Sequence, residues 1–92
     1  MRATAVFHGI LSDWVGVERD DFELPDGAVL ADLVAEIGRR YRPRMPDPLW
    51  DDARRSFAKP VVAFRDDRPI SSPGEPLGNA QEIKFLLMLA GG

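Results

Sequence analysis

One stretch of this chain carries a long helical pattern, and the segments on either side of it are punctuated against helices. Val29, Leu30, Leu33, Val34 and Ile37 recur at three- and four-residue spacing, which puts one apolar stripe along one side of a helix. Pro25-Asp26-Gly27 sets a turn ahead of it, and Pro43, Pro46 and Pro48 forbid its continuation past Tyr41. Asp32 in the first turn and Arg39-Arg40 in the last suit the helix dipole. A stripe of this kind must be covered, and the flanking segments that can cover it read as strands. At 92 residues, with no cysteine to staple it, the chain is one domain resting on one modest core. The expected fold class is α+β: one main helix laid across one face of a small mixed sheet, with a short second helix.

The strands can be assigned from their alternation. Ala3, Ala5 and Phe7 share one face of a first strand, and Thr4, Val6 and His8 the other. Residues 9–16 read as a connection, with Trp14 packing down on the core. A second strand is expected over 17–24, with an irregularity near Arg19-Asp20-Asp21, forming an antiparallel hairpin with the first. Residues 49–57 follow Pro48 and are expected to form a two-turn helix, with Leu49, Trp50, Ala53 and Phe57 on its inner side. Lys59 to Phe64 reads as a buried strand, Asp66-Asp67 as a turn, Arg68-Pro69-Ile70 as a short edge strand and Ser71 to Gly74 as a loop. Leu77 is an isolated apolar anchor before the turn Gly78-Asn79-Ala80. Ile83 to Leu89 is the last strand. The domain is expected over 1–89, with 90–92 as a flexible tail.

Several function classes are disfavoured by the residues present. A net charge of −3 argues against a nucleic-acid binder, and the cluster Arg39, Arg40, Arg42 and Arg44 is read as a solvated helix terminus. No signal peptide is visible, no segment approaches the ~18 apolar residues of a membrane span, and the absence of cysteine fits the cytoplasm. His8 is the only histidine and has no partner base or nucleophile nearby in sequence. Asp20-Asp21, Asp51-Asp52 and Asp66-Asp67 are pairs of sequence neighbours, which point apart on a strand and need not converge on a helix, so no metal or acid–base role is expected there. Gly27 and Gly38 are isolated, no phosphate-cradling loop is present, and no cofactor is expected on this chain.

The chain as given ends Leu89-Ala90-Gly91-Gly92. Glycine pays the largest entropy cost on ordering and packs nothing, so two in succession after an apolar strand read either as a frayed end or as a slim functional tail. Extended, Ala90 to Gly92 would reach roughly 10 Å. In the last strand Ile83, Phe85, Leu87 and Leu89 would meet the helix, which leaves Lys84, Leu86 and Met88 on the outer face. If the first strand neighbours the last, Val6 and His8 share that face. An apolar outer face beside the tail marks a partner surface, unless the 42–58 segment covers it through Trp50.

The chain resembles the ubiquitin-like β-grasp proteins of the sulfur-carrier branch, and more narrowly the small subunit of molybdopterin synthase. The likeness rests on three features: the first strand with Phe7 leading to Val15-Gly16; the block from Leu24-Pro25-Asp26-Gly27 to Leu33; and the end, from Leu77-Gly78-Asn79-Ala80 through Ile83 to Gly91-Gly92. It departs from the family in its turn before the last strand, in the length of 42–58, and in lacking prolines in the final strand. The resemblance implies that Gly92 is adenylated by a separate ATP-using enzyme resembling ubiquitin-activating enzymes, then converted to a thiocarboxylate. Gly91 supplies slimness. The chain would be a non-catalytic sulfur-donating subunit that docks through Val6, His8, Leu86, Met88 and Ala90 on the activating enzyme and on the synthase large subunit. Thiamine, cysteine and tungsten-cofactor pathways stay open. So do a protein modifier joined through Gly92 to lysines and an interaction domain whose Gly-Gly is incidental.

Overall fold

The computed structural model describes residues 1–58, 60–78 and 81–88. Its elements are β1 (Arg2–Phe7), α1 (Ile10–Val15), β2 (Arg19–Glu23), α2 (Leu30–Tyr41), 3-10 turns at Arg42–Arg44 and Asp47–Leu49, β3 (Trp50–Asp51), β4 (Ser56–Phe57), β5 (Val61–Arg65), β6 (Arg68–Ile70) and β7 (Gln81–Leu87). Five strands form one sheet in the order β2-β1-β7-β5-β6, and β3 and β4 form a separate hairpin. β1 and β7 run parallel; the other pairs are antiparallel.

α2 forms where the apolar stripe predicts it, and Leu30, Leu33, Val34 and Ile37 are buried against the sheet. Its first N–H groups need acceptors from outside the helix. Asp32 accepts from the Val29 N–H at 2.9 Å, and the loop before β7 supplies two more acceptors: Leu30 donates to the Glu75 carbonyl and Ala31 to the Pro73 carbonyl, both at 2.9 Å. Arg65 holds that loop through the Glu75 carboxylate at 2.6 Å and the Pro76 carbonyl.

Several elements differ from the sequence expectation; the last strand, for one, runs Gln81–Leu87 rather than over 83–89. The 9–16 connection contains a short helix, α1, which buries Leu11 and Val15 and closes on Gly16 at φ 97°. Trp14 is half-buried against the core, as expected. β2 is shorter than 17–24, and its ladder with β1 runs without a bulge from Val6–Arg19 to Arg2–Glu23. In place of the two-turn helix at 49–57 stands a 3-10 turn followed by the β3–β4 hairpin, so Ala53 is exposed at its tip while Leu49 and Trp50 are buried. Trp50 and Phe57 pack edge to face at 5.3 Å, and Phe57 reaches Phe85 at 5.5 Å. Finally, the run through Phe64 is not uniformly buried: among its described residues only Ala63 is, while Val61, Val62 and Phe64 are half-exposed.

Three of the four arginines of the cluster are engaged in ion pairs. Arg39 meets Glu36 at 2.8 Å, Arg40 meets Asp20 at 2.7 Å, and Arg42 meets Asp47 and Asp52 at 3.1 and 3.2 Å. Arg44 lies over Gly16, close enough that a side chain there would collide with its guanidinium.

Candidate functional site

β7 is the middle strand of five, bonded to β1 on one side and β5 on the other. Its inner side chains, Ile83 and Phe85, are buried, and Phe85 stacks on Phe7 at 5.8 Å. Beyond the strand, Met88 donates its N–H to the Pro60 carbonyl at 2.6 Å, and β1 is tied alongside where His8 donates to the Phe85 carbonyl at 3.0 Å. The backbone leading to the tail is therefore held on the β1 side as far as Phe85 and on the β5 side as far as Met88. Ala90, Gly91 and Gly92, the expected chemical end of the site, lie outside the described residues, and so does the proposed boundary between 89 and 90.

The outer face forms as the alternation predicts. Val6 and Leu86 are half-buried, His8 is exposed, and Met88 is 49% exposed. The strand register places Val6 beside Lys84, and Lys84 beside Phe64 of β5. Leu86 pairs in turn with Val62. The 42–58 segment does not cover this face. Trp50 is pressed instead against α2 at Gly38, where an added Cβ would sit 2.2 Å from its ring.

The face is wider than the sequence indicated. Val62 and Phe64 extend it onto β5, and Ile10 of α1, 48% exposed, stands at its corner. His8, Ile10, Phe64 and Leu86 line an open groove of about 450 Å³ there. A continuous apolar run gives no signal for which side of a strand is covered, so Val62 and Phe64 were illegible as surface residues. Ile10 was the more legible: Leu11 and Val15 at four-residue spacing, with Gly16 behind them, are a helix pattern that leaves Ile10 outside.

Both sheet edges are poor places for a partner strand. Arg40 covers the β2 edge by donating to the Asp21 carbonyl at 3.2 Å, and β6 is three residues long with Pro69 at its centre. Arg40 also lies over the Phe22 ring at 4.2 Å. Burial would raise the Asp20 carboxyl, but hydrogen bonds from Tyr41 and Arg40 outweigh it and hold the group below its ordinary value. This cluster ties the end of α2 to β2 and does not face the groove. Among the described residues no three histidine or acidic side chains converge on a point that would hold a metal ion, and no helix is long and apolar enough to cross a membrane.

No family model and no curated protein matches the sequence. Solved structures do match the fold. SAMP1 from Haloferax volcanii aligns over 100% of both chains with a TM-score of 0.81 at 13% identity. A putative molybdopterin converting factor subunit 1 from Pyrococcus furiosus covers 97% of this chain and 99% of its own, with a TM-score of 0.74 at 19% identity. Urm1 from Trypanosoma brucei covers 99% and 95%, with a TM-score of 0.74 at 18% identity. The architecture is the ubiquitin-like β-grasp that the sequence resemblance implied.

Proposed function

We propose that this chain is a ubiquitin-like sulfur carrier, acting in molybdopterin biosynthesis as the small, sulfur-donating partner of a synthase. The observation that supports this most is the placing of β7: a central strand, held by β1 as far as Phe85 and on the β5 side as far as Met88, with a half-exposed apolar outer face, directly ahead of Ala90-Gly91-Gly92 in sequence. A free glycine carboxylate has a pKa near ~3.5, so at neutral pH it is ionised and a poor electrophile. It needs activation. A separate adenylating enzyme joins the Gly92 carboxylate to the AMP portion of ATP and releases pyrophosphate. A sulfur nucleophile then displaces AMP, leaving a thiocarboxylate as the cargo. On this reading the chain binds no cofactor itself, ATP belongs to the activating enzyme, and the protein works in the cytoplasm. Gly91 lets the end thread a narrow active site, while Val6, His8, Leu86 and Met88 dock the domain first on the activating enzyme and then on the synthase large subunit.

Intact mass after incubation with that enzyme, ATP and a sulfur source should show one oxygen exchanged for sulfur at Gly92. No exchange with a demonstrably active enzyme overturns the proposal, as does full function after deletion of Gly91-Gly92.

A second reading is favoured by SAMP1, which is described as a small archaeal modifier protein. In that case Gly92 is joined to lysines of other proteins, and Gly-Gly remnants on target lysines in a peptide digest distinguish it from a carrier.

A further inference from the structure

The apolar outer face is interrupted at its centre by a single cation. Lys84 stands on β7 with Val6 of β1 on one side and Phe64 of β5 on the other. It is half-buried and makes no hydrogen bond or ion pair among the described residues. Charges nearer the β2 edge are engaged: Arg19 pairs with Glu82 at 3.1 Å, and Asp21 accepts from Thr4 at 2.7 Å. The groove beside Lys84 has Leu86, Leu87, Phe64 and Ile10 as its apolar lining. Its other titratable groups are His8 and Asp67, both exposed. Neither is close enough to Lys84 to form an ion pair.

A partner that closes over this face strips water from Lys84 as it covers Val6, Leu86 and Phe64. An ammonium buried without a counter-charge is strongly unfavourable; among the described residues no carboxylate pairs with Lys84, and Glu82, two residues before it on β7, is held by Arg19. A carboxylate on the partner offsets that cost, whereas a second cation raises it, so one side chain discriminates between otherwise apolar surfaces.

We propose that Lys84 is the specificity-determining residue of the docking face, and that its partner offers an apolar side chain to the groove and a carboxylate to the Lys84 ammonium. The inference rests on the carrier reading and names the chemistry of its first partner, the adenylating enzyme. Arg19, on β2, is held by Glu82 and does not substitute for Lys84.

The test is ATP–pyrophosphate exchange by the adenylating enzyme of the same organism, with the carrier varied as substrate. Wild-type chain, Lys84→Glu, Lys84→Arg and Lys84→Met are compared, with thermal melting measured on each. Lys84→Glu should raise KM for the carrier by about thirtyfold or more with kcat and melting unchanged. Lys84→Arg should stay within about threefold, since charge and reach are kept. Added salt should raise KM for the wild type more than for Lys84→Met. A wild-type KM in Lys84→Glu overturns the inference while leaving the carrier reading intact. No exchange with the wild-type chain, by an enzyme active on another carrier, overturns the carrier reading and this inference with it.

Discussion

The two faces of β7 carry the same kind of side chain to opposite ends. Ile83 and Phe85 point inward and are 0% and 1% exposed; Leu86 and Met88 point outward, half-buried and 49% exposed. What separates them is the neighbour each face meets. The inner face is covered from within the chain, by α2 and by Phe57 of the β3–β4 hairpin. The outer face is not crossed by α2 and meets α1 only at its corner through Ile10, and the hairpin that could have crossed to it is anchored to α2 through Trp50 and Gly38. Inner positions thus hold the fold together, while outer ones are free to be read by a partner.

That division can be broken experimentally, and the largest effect is expected inside. Phe85→Ala should cost about 3–5 kcal/mol in chemical denaturation, because it removes the ring between Phe7 and Phe57. Leu86→Ala, one residue away, should cost about 1 kcal/mol or less while weakening exchange with the activating enzyme. Equal losses of stability would erase the distinction between the faces.

Gly38→Ala comes next. The added methyl collides with the Trp50 ring, and an overpacked contact of this kind costs about 1–3 kcal/mol. Paired with Trp50→Ala, the glycine substitution should cost less than it does alone, since the obstacle is gone. Additive effects in this double-mutant cycle would deny the contact.

The smallest effect concerns the clasp at the end of α2. The Asp20 carboxyl is held below its ordinary value, so its share of stability is present at neutral pH and is lost as pH falls through the folded value, below about 3.9. Tyr41→Phe should cost about 1 kcal/mol at pH 7, and the difference from wild type should shrink in acid. Denaturation at pH 7 and at low pH measures both. A pH-independent difference would show that the hydroxyl does not act through the Asp20 charge.

Some of this was readable from residues alone. The stripe from Leu30 to Ile37 is long enough to settle both the helix and its buried side. The alternation in Ala3–Phe7 and Ile83–Leu87 settles the inward sets of the two central strands. Asp66-Asp67 reads as a turn, and both residues adopt positive φ, 51° and 64°. The outward set of Val6, His8, Leu86 and Met88 follows from the same alternation. The short elements resisted. Six residues of α1 are too few to be helical on their own, and the burial of Leu11 and Val15 is what stabilises them. Residues 49–57 carry apolar spacing that suits a helix, yet Arg55 takes φ 52° in a tight turn and the chain returns as a hairpin.

The sequence by itself determined one helix, its buried stripe, the two central strands and which of their side chains face outward, because these depend on periodicity within a segment. Tertiary structure decided that β1 and β7 lie side by side, that Trp50 closes on Gly38 and leaves the outer face open, and that Val62, Phe64 and Ile10 join Leu86 there around Lys84. Those outcomes depend on contacts between residues far apart in the chain, where local pattern carries no information.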